Sequence, residues 1–477
     1  MHIHIPITMV IRHSDLKPNF RYAVISDTHI RPYGESSSPW KTNLLTNDRA
    51  RWVAHTINAY NPDFVIHLGD VVHPVPHLPT YESASRVARE IMGSLNSPCF
   101  FVPGNHDVGD KDNPTVPSYI INDEYIEHFH RYYGPTFQCF DHGDVHFVAI
   151  NSLALNSGLK EEDEQRYWLE TDLDEHSGVR IHLFSHYPPY LHLPDEPSNY
   201  DNLDQPARRW LLDLIEEHEV EAVFAGHVHQ FFYKRHGETD IYNLLSTCNL
   251  RQDYANLFKV ESPEEYGRND AAKLGYCIVD VYEGGHVARF HRSYGRTLKE
   301  GETLQHETKI RTHYPSEGLP SPLGVHLRYP IAEVTELPYV GPVDEFVRKK
   351  ARNDYTVLAL WEVGIRTVRL PLADLVDKTT RLRLHELHGM GSRYGFFMVN
   401  TQIPEVIAEH NKLVDFLEVI IPWEKAQDIL PEASRLRQRL NLPVYVANIE
   451  SSIHREHTGP KFSHYMSHGF HIDDTHR

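Results

Sequence analysis

Polar side chains follow five apolar runs in the first half of the chain, at the point where each run stops. Short apolar runs that end in turn residues are typical of buried β-strands. In open α/β sheets, ligands bind outside the carboxyl ends of the strands, so the pattern predicts functional side chains gathered at one edge of a sheet. In chain order, the runs lead into Asp27-Thr28-His29, Gly69-Asp70, Asn105-His106-Asp107, His186 and Gly226-His227-Val228-His229.

Each of these groups has an ordinary alternative, because Asn, Gly and Asp are the commonest turn residues. A polar turn accounts for any one of them, but a succession of such strand ends is hard to reconcile with coincidence. Together the carboxylates, the amide and the imidazoles form a mixed set of oxygen and nitrogen ligands. Such a set suits Mn, Fe, Zn or Co, whereas calcium favours ligands that are all oxygen.

The order of the motifs resembles that of the calcineurin-like metallophosphoesterases. That family carries D-x-H, G-D, G-N-H-D or G-N-H-E, a single H, and G-H-x-H, and the whole pattern is present here in order. The resemblance covers about residues 20–295 and is strongest to the branch containing cyclic-nucleotide phosphodiesterases and glycerophosphodiesterases. Purple acid phosphatases are less similar, because the first motif here contains His29 and no matching tyrosine ligand is evident.

The resemblance implies a binuclear centre of divalent transition metal ions, with Mn, Fe, Zn and Co all open. Asp70 would bridge the ions, and Asn105 would bind through its carbonyl oxygen. The implied ligands are Asp27, His29 and His229 for the first ion and Asn105, His186 and His227 for the second, with Asp70 shared by both.

The resemblance also implies a reaction, the hydrolysis of a small phosphate ester by metal-bound hydroxide. His106 would protonate the leaving oxygen as a general acid, and Asp107 would orient its imidazole or raise its basicity. Phosphodiesters are the expected substrates. The alternatives are a phosphomonoesterase or nucleotidase, and a catalytically silent metal-binding scaffold.

Other residues near the motifs are open to two interpretations. His73 and His77 follow Asp70 but match no motif position, so we interpret them as loop histidines. The segment 187–190, Tyr-Pro-Pro-Tyr, follows His186 at the mouth of the predicted site. It either forms a substrate wall, the interpretation we favour, or simply packs the loop.

The amino-acid composition limits which kinds of partner and which cellular compartment are expected. A net charge of −19 supplies no broad basic stripe, so no nucleic-acid surface is expected. No stretch approaches the roughly 18–20 apolar residues that span a bilayer, and the N-terminus lacks the basic start and apolar core of a signal peptide. The four cysteines are scattered, which favours a reduced, cytoplasmic protein.

A chain of 477 residues is too long for one ordinary core, so two domains are expected. The first, 1–300, is predicted to be an α/β metallophosphoesterase domain with an αββα four-layer sandwich. A charged, Pro-rich linker follows at 301–322. The second domain, 323–477, is predicted to be smaller and built from βα repeats.

The predicted C-terminal repeats resemble part of a TIM-type barrel, with too few units to close one. An open edge or an apolar face would then need covering, so we expect this domain to pack either on the phosphoesterase domain or on a second copy of the chain. We favour the second alternative, a homodimer or larger homo-oligomer. A helix is predicted over 344–361 before the first repeat strand. The predicted strands are Thr367–Leu370, Tyr394–Val399, Leu417–Ile421 and Val444–Asn448, and the predicted helices are Thr379–Leu387, Pro404–Leu413 and Glu432–Leu440.

Overall fold

The computed structural model divides into two compact units. The first is formed by Met1–Gly318 together with Val334–Leu358, and the second by Leu319–Glu333 together with Ala359–Arg477. Most of the predicted linker lies outside the described residues. The structure describes residues 17–113, 119–260, 264–303, 323–337, 348–399, 405–422, 425–451 and 466–468.

The elements of both units alternate between strands and helices along much of the chain. In chain order, the strands are β1 (Phe20–Ile25), β2 (Phe64–His67), β3 (Cys99–Phe101), β4 (Gln138–His142), β5 (Val145–Ala149), β6 (Arg180–Ser185), β7 (Ala222–Ala225), β8 (Phe232–His236), β9 (Thr239–Asn243), β10 (Gly275–Tyr282), β11 (Gly285–Arg292), β12 (Gly324–His326), β13 (Val334–Glu336), β14 (Lys350–Arg352), β15 (Thr367–Pro371), β16 (Arg393–Met398), β17 (Phe416–Ile421), β18 (Val444–Ser451) and β19 (Met466–His468). The helices are α1 (Thr46–Tyr60), α2 (Tyr81–Met92), α3 (Asn105–Val108), α4 (Asp123–Tyr133), α5 (Lys160–Glu175), α6 (Ala207–Glu217), α7 (Gln252–Leu257), α8 (Tyr355–Glu362), α9 (Leu372–Val376), α10 (Lys378–Gly389), α11 (Val406–Glu409) and α12 (Ala426–Leu440).

Two sheets pack face to face in the first unit, with strand orders β11-β10-β1-β2-β3 and β4-β5-β6-β7-β9-β8. Successive side chains of a strand point to opposite faces, and β1 shows what each face does. Tyr22 points towards the second sheet, where its ring centroid lies 5.4 Å from that of Phe147 and 6.2 Å from that of Phe224. Its neighbour Ala23 belongs instead to the apolar cluster that the sheet shares with the helices on its outer face.

Amphipathic helices cover the outer faces of both sheets. In α2, Ala84, Val87, Ala88 and Ile91 are buried, the spacing that places side chains on one helical face. Helices α1, α2 and α4 share one apolar cluster with the first sheet, and α5 and α6 share another with the second. The fold is therefore mixed α/β, as predicted, and it places the ends of β1, β2, β3, β6 and β7 where the polar motifs begin.

A hairpin from beyond the linker completes the first unit. Strands β13 and β14 pair antiparallel. Leu337 and Ala351 of this hairpin are buried in one apolar cluster with Val228 and Tyr254. The sequence division placed these residues in the C-terminal domain, whereas the structure places them in the first unit.

The helix predicted over 344–361 is confirmed from Tyr355 onwards and is wrong over residues 348–354. Residues 348–354 contain strand β14, and helix α8 begins only at Tyr355. The reason is tertiary: Arg352 donates to the backbone oxygen of Tyr233 at 3.1 Å, and the backbone N–H of Tyr233 donates to Asp354 at 3.0 Å. These contacts fix an extended segment whatever its local helix propensity. Residues 344–347 lie outside the described part of the chain.

The second unit contains a sheet with the order β12-β15-β16-β17-β18-β19. Its strands pair in parallel from β12 to β18, and β19 is antiparallel to β18. The parallel βα repeats are therefore present. Over the described residues the strands form an open row, so the barrel-like part of the expectation is not confirmed.

Two further global properties are visible. The four cysteines carry free thiols, and burial raises the pKa of Cys248 and Cys277 above the usual range of a thiol. Such thiols act as small apolar side chains. Among the described helices, none combines the length and the apolarity that crossing a membrane requires.

Candidate metal centre

The turns after β1, β2 and β7 hold polar residues in an unusual backbone conformation. The φ angles are 54° at Asp27, 45° at His29, 52° at Asp70, 69° at His227 and 53° at His229. Positive φ is uncommon for residues other than glycine and costs about 1–3 kcal/mol where sparsely populated regions are imposed. The surrounding structure therefore holds these residues against a local preference for other conformations.

One cluster of ligand atoms lies between the turns after β1, β2 and β7. The Nε2 atom of His229 is 3.1 Å from Asp27 Oδ1 and 3.1 Å from His29 Nε2. His29 Nε2 is also 3.5 Å from Asp70 Oδ2. All these side chains are buried, so the structure brings together the whole ligand set predicted for the first ion.

A second cluster shares Asp70 with the first. Asp70 Oδ1 lies 3.4 Å from His186 Nε2. Asn105 Oδ1 lies 3.1 Å from both His186 Nε2 and His227 Nδ1. The ligand set predicted for the second ion is thus also assembled, with Asp70 between the two groups.

Backbone carbonyls select the tautomers of the histidines in the second cluster. His186 Nδ1 lies 2.8 Å from the carbonyl oxygen of Leu68, and His227 Nε2 lies 3.1 Å from that of Tyr200. A carbonyl can only accept, so these ring nitrogens carry the protons. The opposite nitrogens then turn unprotonated lone pairs towards Asn105, the arrangement usual for histidines that bind a metal.

The buried carboxylates of the two clusters would be stabilised by added positive charge. Burial raises the pKa of Asp70, and the carboxylates of Asp27 and Asp107 raise it further. Asp27 Oδ1 is buried without a hydrogen-bond donor. A pair of divalent cations would compensate the carboxylates and accept the converging lone pairs, so the residues present fit a binuclear centre.

Two glycines allow the motif loops to approach each other closely. A Cβ atom on Gly104 would overlap the backbone nitrogen and the carboxylate of Asp70. Gly69 has a φ of +95°, and a Cβ there would lie 2.8 Å from His186 Nδ1. Side chains at either position would separate the loops that carry Asp70, Asn105 and His186.

His106 lies beside the clusters and is oriented by backbone groups. Its backbone N–H donates to Asp70 Oδ1 at 2.9 Å, and its Nδ1 lies 2.5 Å from the carbonyl oxygen of His73. The Nδ1 atom must therefore carry a proton, which leaves Nε2 for other partners. Burial lowers the pKa of His106 to about 4.

The role expected of Asp107 is corrected by the structure. Its carboxylate accepts backbone N–H groups from Gly104 at 2.9 Å and from Val71 at 3.1 Å, instead of contacting the His106 ring. Asp107 thus ties the loop after β3 to the loop after β2. The His73 carbonyl, and not Asp107, orients the His106 imidazole.

A comparison with family models gives the same assignment as the geometry. The model described as calcineurin-like phosphoesterase matches residues 20–231. The chain carries a calcineurin-like phosphoesterase domain.

The curated relatives of this phosphoesterase domain are distant. The chain is 28% identical over 201 residues to Serine/threonine-protein phosphatase CPPED1 of Bos taurus. The aligned region covers 40% of this chain and 60% of the bovine protein. It is 26% identical over 216 residues to Probable glycerophosphodiester phosphodiesterase GpdQ of Arcobacter nitrofigilis, covering 43% of this chain and 70% of that protein. The crystal structure of a dimetal phosphatase from Danio rerio matches 57% of this chain and 96% of its own, with 13% identity and a TM-score of 0.41. The chain therefore spans less than two thirds of the bovine relative.

Sequence reasoning placed His73 in a loop, as the structure does, but missed its contact with His106, and it favoured a substrate wall where Tyr187 and Tyr190 are buried. His73, interpreted as a loop histidine, supplies the carbonyl beside His106, and its ring centroid lies 5.5 Å from that of His29. Its position three residues after Asp70 was the available signal. Tyr187 and Tyr190, the favoured substrate wall, are buried and pack the loop.

Tyr200 was also missed, since no motif contains it. It lies in the loop after His186 and is half-buried. The Nδ2 atom of Asn105 donates to its hydroxyl oxygen at 3.3 Å. Its carbonyl oxygen lies 3.1 Å from His227 Nε2, so one residue touches two members of the second cluster.

Proposed function

We propose that the phosphoesterase domain hydrolyses phosphate esters, and phosphodiesters in preference to monoesters. The observation that carries this proposal is the convergence of two ligand clusters on Asp70 beside His106. The names of two relatives support hydrolysis of phosphate esters, since one is a protein phosphatase and the other a probable glycerophosphodiester phosphodiesterase.

The proposed centre holds two divalent transition metal ions. When bound, such ions neutralise phosphoryl oxygens and lower the pKa of an attacking water. Within each cluster the backbone and its hydrogen bonds fix the donors before an ion arrives. The proposed ligands are Asp27, His29 and His229 for the first ion and Asn105, His186 and His227 for the second, with Asp70 shared.

His106 is the proposed proton donor to the leaving oxygen. Because its Nδ1 donates to the His73 carbonyl, Nε2 is the nitrogen available for proton transfer. The bond from its backbone N–H to Asp70 fixes the imidazole next to the shared carboxylate. Asp107 contributes indirectly, by holding the loop on which His106 lies.

The preference for diesters rests on the state of the nearby cations. Basic side chains whose charge reaches the candidate histidines include Arg31, Lys111 and Arg251. Each is already paired with a carboxylate. The pairs are Arg31 with Glu35, Lys111 with Asp204 and Arg251 with Asp201. A monoester dianion gains less from cations that are already compensated, whereas a diester carries a single charge.

Chromogenic esters and a His106 variant test the reaction. The metal-replete protein should turn over bis(4-nitrophenyl) phosphate faster than 4-nitrophenyl phosphate. His106→Ala should keep its metal and lose about two to four orders of magnitude in turnover, most for esters with high-pKa leaving groups. His388→Ala is a matched control, because its Nδ1 also contacts a backbone carbonyl, that of Ser392 at 3.1 Å.

Contrary results would select the alternatives. Faster turnover of the monoester would indicate a phosphatase, and no turnover by protein that holds both ions would indicate a silent scaffold. Loss of metal from His106→Ala would show that this residue is a ligand. The homo-oligomer, the identity of the metals and the cytoplasmic location stay predictions, testable by light scattering, elemental analysis and fractionation.

A further inference from the structure

A closed ring of ion pairs lies next to the second ligand cluster. Asp201 pairs with Arg251 at 2.6 Å, and Arg251 pairs with Asp253 at 2.7 Å. Asp253 pairs with Lys349 at 2.7 Å, and Lys349 returns to Asp201 at 2.8 Å. Two carboxylates and two cations alternate, so the ring is neutral. Lys349 is 3% exposed, and both carboxylate residues are buried.

The ring is joined to His227 on two sides. Tyr200, the residue before Asp201, offers the carbonyl oxygen that accepts from His227 Nε2. Asp201 Oδ1 lies 3.8 Å from the same nitrogen, and Arg251 donates to the backbone oxygen of His227 at 3.4 Å. Asp201 therefore acts on the His227 imidazole through the carbonyl of its neighbour Tyr200, and on the His227 backbone through its ion pair with Arg251.

Lys349 comes from far along the chain, and its hairpin packs beneath the same turn. Leu337 and Ala351, on either side of the hairpin, share an apolar cluster with Val228. Val228 lies between His227 and His229, and its side chain is buried. The hairpin thus contacts the G-H-V-H turn through apolar packing and the second cluster through the ion-pair ring.

We propose that Lys349 is a positioning residue for the second ion. By holding Asp201, Lys349 keeps the carbonyl of the adjacent Tyr200 against His227 Nε2. The lone pair on His227 Nδ1 then stays directed at Asn105. The proposal rests on the proposed function, since it assumes that this cluster binds an ion. Without Lys349, the ring keeps two carboxylates against one guanidinium. Asp201 then loses one of its anchors, and the excess negative charge lies beside the proton of His227.

Calorimetric titration of full-length, chelator-treated protein with Mn²⁺ tests the proposal. The parent protein should bind two equivalents, roughly one for each cluster. Lys349→Met should weaken one equivalent by about 10–100-fold, the usual loss when a partner that orients a ligand is removed, and leave the other unchanged. Lys350→Met is the matched control from the same hairpin, since Lys350 is the next residue along the chain and its side chain is exposed.

A charge-balanced variant covers the case in which Lys349→Met does not fold. Combining Lys349→Met with Asp253→Asn leaves Asp201 and Arg251 as a neutral pair, and the same equivalent should be weakened. Parent-like binding of both equivalents by either folded Lys349 variant overturns the proposal, and so does an equal loss in Lys350→Met. A parent protein that binds none of Mn²⁺, Fe²⁺, Zn²⁺ and Co²⁺ refutes the proposed function itself, a result distinct from the other two.

Discussion

The two units of this chain both contain parallel strands, but they use the ends of those strands differently. In the phosphoesterase domain, buried Asp27, Asp70 and His227 follow β1, β2 and β7 with positive φ. In the second unit, β15 and β17 end in Pro371 and Ile421. The non-glycine residue with positive φ described there is Asn441, which caps the C-terminus of α12.

This difference lies in what holds each residue in its left-handed conformation. A left-handed Asn at a helix C-cap is an ordinary way to end a helix and points to no ligand. A buried carboxylate or imidazole in the same conformation carries two energetic costs. One is the strain of the left-handed backbone, and the other is the loss of hydration of the polar side chain. Where several such residues meet, as they do around Asp70, the fold is being held for a ligand. Parallel βα topology alone does not indicate function.

Removing the shared carboxylate should give the largest effect. Asp70→Ala deletes a member of both clusters, so metal content should fall from roughly two equivalents to near zero and turnover should be lost. Asp415→Ala is the matched change in the other parallel sheet, where Asp415 accepts the backbone N–H of Tyr394 at 2.8 Å. It should lower the melting temperature and leave the metal in place. Elemental analysis of both variants measures the metal content. An Asp70 variant that keeps both ions would refute the role of Asp70 as a ligand shared by the two clusters.

A smaller effect is expected from adding one methyl group at a glycine in each unit. Gly104→Ala would push a Cβ into Asp70, so metal affinity and turnover should fall more than stability does. Gly395→Ala in β16 would push a Cβ into the ring of Phe416. Overpacking of this kind costs about 1–3 kcal/mol, so the melting temperature should fall while turnover is unchanged. The comparison between the units fails if Gly395→Ala lowers metal affinity as much as Gly104→Ala.

The side chains named from the sequence lie together in the structure, and they could be named because their signals are local. Each strand end combines an apolar run, a turn residue and a polar group, and these are adjacent in the chain. The role of Asp107 was not predictable in this way. It depends on which backbone N–H groups the loop after β3 meets, and Val71 comes from a different loop.

The hairpin was missed for a related reason. Lys350–Arg352 is a short, polar strand within a stretch that has helical character by itself, and its conformation is decided by Tyr233, more than a hundred residues earlier. The strands β15 to β17 were predicted to within a residue at each end, since their apolar runs are strong, whereas β18 begins as predicted and continues to Ser451. Helix α11 is shorter than the predicted Pro404–Leu413, whose first residue lies outside the described chain.

The smallest effect concerns a histidine of the phosphoesterase domain far from the candidate centre. His146 pairs with Ile181 in β6, at the opposite end of that strand from His186. Its ring nitrogens lie 2.7 Å from Asp141 and 2.8 Å from Asp172, so the imidazole is charged between two carboxylates. Burial alone would lower the pKa of His146, but hydrogen bonds to Asp172 and Asp141 outweigh it and raise the pKa above the usual value.

The sign of the pH dependence follows from that shift. A raised folded-state pKa stabilises the fold fully below about pH 6.5, the unfolded value, and the contribution is lost as the pH rises through the folded value. His146→Gln should therefore cost about 1–2 kcal/mol at pH 6, allowing for the exposure of Asp141, and less at pH 9. Thermal melts of the parent and the variant at both pH values measure the gap. A difference in melting temperature between parent and variant that grows with pH would contradict the charged network. Metal content should be the same in both proteins, because His146 lies away from both clusters.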